Sequence, residues 1–319
     1  MRIFNGLETV PAFSQNTTVA IGSFDGVHLG HQALIKKAAD DARANGRPLV
    51  VLTFDRHPAE LLRPETAPRH ITTSSQRAEL IDFLGVDNLV IARFDDELAE
   101  MDREVFLKHV LKSTLSAAAI VEGRDFCFGR NRAGDVHYLE ANQRNLSYVV
   151  EALDPVEVDS VAVSSSRIRE RIGQGDIASA EKLLGHPYLF EGRVIKGQQL
   201  GRKLGYPTAN LSSVERQIVP ADGIYAVMVQ LEDGRVFGGA CSIGSRPTVA
   251  DAGRSIEVYL FGFEGDLYDS KIEVRFVKRL RSEEKFETLV ALKMQIDADV
   301  EMAKNCLNAW VGWQPLASR

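Results

Sequence analysis

Val19-Ala-Ile-Gly-Ser-Phe-Asp-Gly-Val-His-Leu-Gly-His31 is the stretch from which the architecture of this chain can be read. Val19 to Ile21 is an apolar, strand-like run that breaks at Gly22. Phe24, Asp25 and Gly26 follow in a short turn. A helix is expected to start near His28, with Leu29, Leu34 and Ile35 on its apolar side. Helix starts gather unpaired backbone N–H groups and the positive end of the dipole, so this frame suits an anion. His28 and His31 can donate hydrogen bonds to phosphate oxygens, and Gly30 between them permits a close backbone approach. The plain alternative is two surface histidines after a glycine turn; the strand–turn–helix frame favours phosphate.

On either side of this turn, the first half alternates strand-like and helix-like segments. Helical spacing is expected from Leu34 to Ala44, over Gln76–Leu84 and over Asp102–Leu111. Strands are expected at Leu49–Phe54, Asn88–Ala92, Ala117–Val121, Tyr148–Val150 and Ser160–Val163. This alternation predicts a parallel, doubly wound α/β sheet, with ligands beyond the carboxyl ends of the strands. The texture changes around Gly185-His-Pro-Tyr188. Short strands follow at Phe190–Val194, Ile224–Leu231, Val236–Ile243, Ser255–Phe261 and Lys271–Phe276, which predicts a small antiparallel β-barrel. From Phe286 through Ile296, Val300 and Ala303 the spacing is helical, so one or two helices should pack on that barrel. The division is accordingly placed between residues 1–185 and 186–319.

Composition agrees with two domains, because 319 residues exceed the size at which one core usually keeps growing. A formal net charge of -6 argues against a general nucleic-acid binder. Local basic clusters, such as Arg167, Arg169 and Arg171, suit small phosphorylated ligands or are simply solvated faces. Cys127, Cys241 and Cys306 are far apart and odd in number, which excludes a disulfide framework and points to a reducing compartment. The start of the sequence lacks a signal-peptide pattern, and no apolar run approaches membrane-spanning length. A cytoplasmic protein with no membrane partner is expected, and a homo-oligomer is left open.

Four further motifs bear chemistry. Val163-Ser-Ser-Ser-Arg-Ile-Arg169 sets hydroxyl groups and arginines at a second helix start, as an ordinary N-cap or as an anion site. Gly123-Arg-Asp-Phe-Cys-Phe-Gly129 places Asp125 next to Phe126, where a buried carboxylate would need a ligand or another partner. Gly197, Gly201 and Gly205 precede Tyr206-Pro-Thr-Ala-Asn210, without the spacing of a Walker A loop. Pro207 biases Tyr206 toward an extended conformation, and Thr208 and Asn210 then point the same way. Two hard oxygens so placed suit one Mg²⁺, although a structural loop fits the spacing equally well. Glu257 interrupts an otherwise apolar strand, which reads as a solvent-facing edge residue or as a working carboxylate.

The opening stretch resembles the G-x-F-D-G-x-H-x-G-H signature of the H-x-G-H nucleotidyltransferases, in the form carried by bacterial flavin adenylyltransferases. That family moves a nucleotidyl group from a triphosphate to an acceptor phosphate. The chemistry needs alignment and charge compensation rather than a protein nucleophile. The resemblance implies a Rossmann-like nucleotidyltransferase domain with His28 and His31 as catalytic residues, and Gly22, Phe24 and Gly30 in the ATP/flavin site. Residues 163–169 are similar to the family's S-S-T-x-I-R element, with Ser166 in place of Thr. By that match Ser164, Ser165 and Arg169 hold the β- and γ-phosphates of ATP. The Asp125 segment resembles the flavin branch, and Thr53-Phe-Asp-Arg-His-Pro58 its T-F-x-P-H-P, with Arg56 departing from the pattern before His57.

Residues 197–210 resemble the G-x-x-x-G-R-x-L-G-x-P-T-A-N of riboflavin kinases. Asp222-Gly-Ile-Tyr-Ala226, Ile243-Gly-Ser-Arg-Pro-Thr248 and Ile256-Glu-Val-Tyr-Leu-Phe261 match the same family, and Lys278 to Phe286 resembles a segment that closes near the flavin. With motifs over nearly the whole chain, the resemblance is to the bacterial bifunctional riboflavin kinases/FMN adenylyltransferases. It implies Glu257 as the base for the ribityl hydroxyl, Thr208 and Asn210 as Mg²⁺ ligands, and Gly197, Gly201, Gly205 and Pro207 in the ATP/flavin site. Riboflavin, FMN, FAD and ATP are the implied small molecules. The rival readings are a nucleotidyltransferase with another acceptor, and a flavin- or nucleotide-binding protein with one degenerate domain.

Overall fold

The computed structural model describes residues 1–197, 199–244 and 254–310. By contacts the chain divides into two compact units: Met1–Pro68 with Ser74–Ser164, and Arg69–Thr73 with Ser165–Arg319. In the first unit, β1 (Arg2–Asn5), β2 (Thr17–Ile21), β3 (Leu49–Phe54), β4 (Asn88–Ala92), β5 (Ala117–Gly123) and β6 (Val149–Leu153) form a six-stranded sheet. All neighbours are parallel, in the order β1-β4-β3-β2-β5-β6. Every residue of β2 is buried, which is why its second half, Val19–Ile21, reads as a continuous apolar run rather than an alternating one. Helix α1 (Leu29–Ala44) buries Leu34, Ile35, Ala38 and Ala42, and α2 (Ser74–Phe83) and α3 (Val136–Leu146) also belong to this unit. From β2 the chain winds one way to β3 and β4, then places β5 and β6 on the other side. The carboxyl ends of β2 and β5 therefore flank the point where the winding reverses, the usual ligand crevice of such sheets.

Two expected elements differ. Ser160–Val163 does not join the large sheet; Val161–Ala162 pairs antiparallel with Glu157–Val158 instead. Asp159 and Ser160 both have positive φ, 52° and 60°, the geometry of a two-residue hairpin turn. The helix expected over Asp102–Leu111 is capped by Asp102, then widens into π-type turns over Phe106–Thr114. β1 had no apolar signal because it is an edge strand with three of its four residues exposed.

In the second unit, α4 (Ser165–Gly173) and α5 (Ile177–Leu184) pack on each other, and α5 also contacts the barrel strands. The barrel is closed by β7 (Tyr188–Ile195), β8 (Ala209–Ser213), β9 (Gly223–Leu231), β10 (Val236–Gly244), β11 (Ser255–Leu260) and β12 (Lys271–Arg281). The circular order is β7-β8-β11-β10-β9-β12, with every pair antiparallel. Tyr188, Tyr225 and Phe276 fill its core, the Phe276 ring lying 5.9 Å from Tyr188 and 5.3 Å from Tyr225. One helix, α6 (Leu289–Asn308), packs on β9, β10 and β12 and buries Asp299, Val300 and Ala303. Residues 245–248 of the Ile243–Thr248 motif lie outside the described residues.

Candidate active sites

The first site is built where β2 ends. His28 caps α1: its Nδ1 accepts a hydrogen bond from the His31 backbone N–H at 3.4 Å. The two imidazoles stack with centroids 3.6 Å apart and 15° between their planes, and Phe24 meets His31 edge-on at 5.2 Å. Gly30 makes this stack fit, because a Cβ there would lie 3.1 Å from His28 Cε1. A Cβ at Gly22 would likewise sit 3.2 Å from the Phe24 ring. Phe24 and Val27 hold φ of 47° and 37°, a costly conformation for side-chain-bearing residues that persists only where the surroundings over-determine it. Gly22, Phe24, His28, Gly30 and His31 are thus brought together in one strained turn and helix start.

Beside this turn lies a cavity of about 690 Å³, lined by Ile21, Phe54, Phe94, Phe106, Phe126 and Phe128 among others. Aromatic walls of this size suit a flat heteroaromatic ring. His57 also lines it, but its imidazole is engaged as a helix cap: Nδ1 accepts from the Ala59 N–H at 3.1 Å, and Glu60 accepts from the His57 N–H. The loop therefore forms with Arg56 in place, and Arg56 lies 3.8 Å from Asp55. Asp125 is exposed, so its carboxylate needs no buried partner. Ser164 closes the first unit and Ser165 opens α4, whose Ile168 and Ile172 are buried. Within the second unit, Arg169 Nε donates to the Arg69 carbonyl at 2.8 Å.

The second site lies on the barrel wall. Asn210 on β8 stands opposite Glu257 on β11, and Glu257 in turn stands opposite Ser242 on β10. Thr208, just before β8, donates its hydroxyl proton to Glu257 Oε2 at 3.2 Å. Thr208, Asn210 and Glu257 thus present a hydroxyl, an amide and a carboxylate along one face. A Cβ at Gly197 would fall 2.4 Å from the Asn210 amide, and one at Gly201 would fall 2.3 Å from the Tyr206 carbonyl oxygen. These glycines let the loop close tightly over the Thr208–Asn210 strand. Gly205, with φ of 88°, ends the short helix Leu200–Leu204.

Thr208 and Glu257 face a cavity of about 280 Å³, whose other walls include Tyr206, Tyr259, Arg281, Glu283, Glu284 and Phe286. The segment from Lys278 to Phe286 therefore reaches this cavity through four of its side chains. Arg281 is held by a two-point ion pair to Asp299 of α6, at 2.8 and 2.7 Å, and this hydrogen bonding raises its pKa further. Tyr206 donates its hydroxyl proton to Asp297 of α6, which pushes the phenol up to about 12. Cys241 also lines the cavity, and burial pushes its thiol up, which keeps it unreactive.

A family model for FAD synthetase matches residues 10–167, and one for riboflavin kinase matches residues 184–307. The bifunctional riboflavin kinase/FMN adenylyltransferase of Haemophilus influenzae is 36% identical over 97% of this chain and 100% of its own length. That of Pseudomonas fluorescens is 39% identical over 95% of this chain and 97% of its own.

The chain belongs to the bifunctional riboflavin kinase/FMN adenylyltransferase family.

The Escherichia coli K12 member of that family is 34% identical over 94% of this chain and 96% of its own. A crystal structure from Streptococcus pneumoniae, described as a macrolide-efflux protein, matches with a TM-score of 0.85 at 29% identity, covering 98% of this chain and 100% of that one. Among the described residues no helix is long and apolar enough to cross a membrane. In this family member, sequence reasoning missed four residues next to the sites. Arg77 of α2 donates to the Ser23 carbonyl at 3.0 Å and to the Phe54 carbonyl at 2.7 Å. Glu122 of β5 accepts from the Ile21 N–H at 2.6 Å. Asp297 and Asp299 tie α6 to the second cavity, as described above. Nothing local in the sequence marks these partners, since each lies 18 or more residues from the group it holds.

Proposed function

We infer that the chain phosphorylates riboflavin to FMN with ATP on the barrel, then transfers AMP from ATP to FMN, giving FAD and pyrophosphate. The observation that carries this is the pairing of the two family matches, in chain order, with the two separately built sites. The working division is residues 1–185 for adenylyl transfer and 186–319 for the kinase.

In the kinase reaction the riboflavin 5′-hydroxyl attacks the γ-phosphorus and ADP leaves. Glu257 takes the hydroxyl proton, a role suited to a carboxylate at the wall of a cavity. Thr208 and Asn210, two residues apart at the start of an extended strand, offer a hydroxyl and an amide oxygen, hard donors that fit Mg²⁺. When bound there, the ion would neutralise charge on the transferring phosphates. Gly197, Gly201, Gly205 and Pro207 shape the loop around that strand.

In the adenylyl transfer an FMN phosphate oxygen attacks the α-phosphorus and pyrophosphate leaves. His28 and His31 supply donors at the α1 start, where the helix dipole also favours negative charge. Ser164, Ser165 and Arg169 are assigned to the β- and γ-phosphates, with Gly22, Phe24 and Gly30 shaping the site and Asp125 contacting the nucleotide or flavin. The partners are small molecules, in a cytoplasmic setting. Incubation of the purified protein with riboflavin and Mg²⁺-ATP is expected to yield FMN and then FAD, followed by chromatography. FMN without FAD would remove the adenylyl-transfer half, and unchanged riboflavin would remove the kinase.

A further inference from the structure

We propose that Glu122 and Arg77 are positioning residues for adenylyl transfer, which clamp the segment Ile21–Ser23 from opposite sides and so fix the turn that seats His28 and His31. The proposal rests on the adenylyl-transfer reading of the first site.

The β2–β5 ladder runs only as far as Ala20 opposite Val121. One step further, the Glu122 side chain takes the Ile21 N–H at 2.6 Å. On the β3 side, the Gly22 N–H reaches the Leu52 carbonyl at 3.0 Å. Next, the Ser23 carbonyl accepts from Arg77 at 3.0 Å and from the Thr53 hydroxyl at 3.2 Å. The second arm of the Arg77 guanidinium holds the Phe54 carbonyl at the end of β3. Glu122 is 1% exposed and Arg77 5%, so neither bond is a fluctuating surface contact.

The placement gives the clamp a purpose. Ile21 lines the aromatic cavity on one side, and Phe24, three residues on, packs against His31. Phe24 and Val27 sit at positive φ, and a free turn would relax out of that conformation. Two side chains on neighbouring elements hold the strand end while the turn bends. Burial raises the Glu122 carboxyl well above the usual range, against the hydrogen bond from Ile21. Glutamine offers the same carbonyl acceptor without ionising.

The test measures riboflavin phosphorylation and FMN adenylylation separately in the full-length protein. Glu122→Leu removes the acceptor while keeping bulk. Its kcat for adenylylation is expected to fall by about 10²-fold, the effect of a small misplacement of reacting groups, with KM for FMN within about twofold and kinase activity retained. Glu122→Gln should restore kcat to within about threefold of wild type. Wild-type kcat in Glu122→Leu, or a Gln variant no better than the Leu one, would overturn the proposal. Should Glu122→Leu fail to fold, Arg77→Met carries the test. The same fall in kcat, partly recovered by Arg77→Lys, supports the clamp, whereas an unchanged kcat defeats it. If the wild-type protein itself makes no FAD from FMN, the reading of the site has failed instead.

Discussion

A glycine between two histidines illustrates how a single missing carbon shapes the first site. Gly30 lies in the first turn of α1, where alanine would favour the helix by up to about 1 kcal/mol. Its Cβ, however, would stand 3.1 Å from Cε1 and 3.2 Å from Nδ1 of His28, so the ring must shift by a few tenths of an ångström. That ring is buried and stacked at 3.6 Å on His31, so displacing one imidazole displaces both. Gly30→Ala should therefore keep or raise the melting temperature while lowering kcat for FMN adenylylation by about tenfold or more. Riboflavin phosphorylation should not change. Unaltered adenylylation would show that the stacked geometry is not the one that reacts.

Among the elements, the strands and turns that carry the sites were legible wherever chemistry and burial agreed. β2, β3 and β5 read as apolar runs because they are buried on both faces, and glycine, histidine and aspartate mark the turns beyond them. β8 was not legible. Its sequence, Ala209-Asn-Leu-Ser-Ser213, is rich in small polar residues of low strand propensity, so only the extended run through Thr208 and Asn210 could be read and not a barrel strand. The start of α6 was set too early, at Phe286, because Phe286 is a cavity wall and the helix begins only after the Thr288 cap. Partners across elements were invisible for a different reason: a hydrogen bond such as Arg281 to Asp299 depends on tertiary placement. That pair also ties α6 to the barrel cavity, whose wall includes Asp299 and Val300. Asp299 is 4% exposed and accepts two bonds from Arg281 and one from Gln295. Asp299→Asn leaves a largely buried guanidinium short of its counter-charge, at a cost of about 2–3 kcal/mol. Urea titration followed by loss of riboflavin phosphorylation should show that shift, and a change below about 0.5 kcal/mol would mean that α6 is held by its apolar face alone.

For the whole molecule, the decisive property is that the stacked histidine turn lies within one unit and the Thr208–Asn210–Glu257 cluster within the other. His28, His31 and Phe24 belong to the first; Thr208, Asn210 and Glu257 belong to the second. Damage to one should then leave the other reaction at full rate. Glu257→Gln removes the carboxylate proposed as base and should slow FMN formation by about 10²- to 10⁴-fold while sparing FAD formation from added FMN. His28→Ala with His31→Ala should do the reverse, each lost donor costing about 10²-fold. Neither variant alone makes FAD from riboflavin at a useful rate. Mixed together, they should, because FMN made by one polypeptide can diffuse to the intact first unit of the other. Comparing that mixture with wild type at equal concentration of each working site measures how freely FMN leaves the kinase cavity. A mixture that stayed inactive, while each variant kept its remaining half-reaction, would show that FMN is passed within one chain without entering solution.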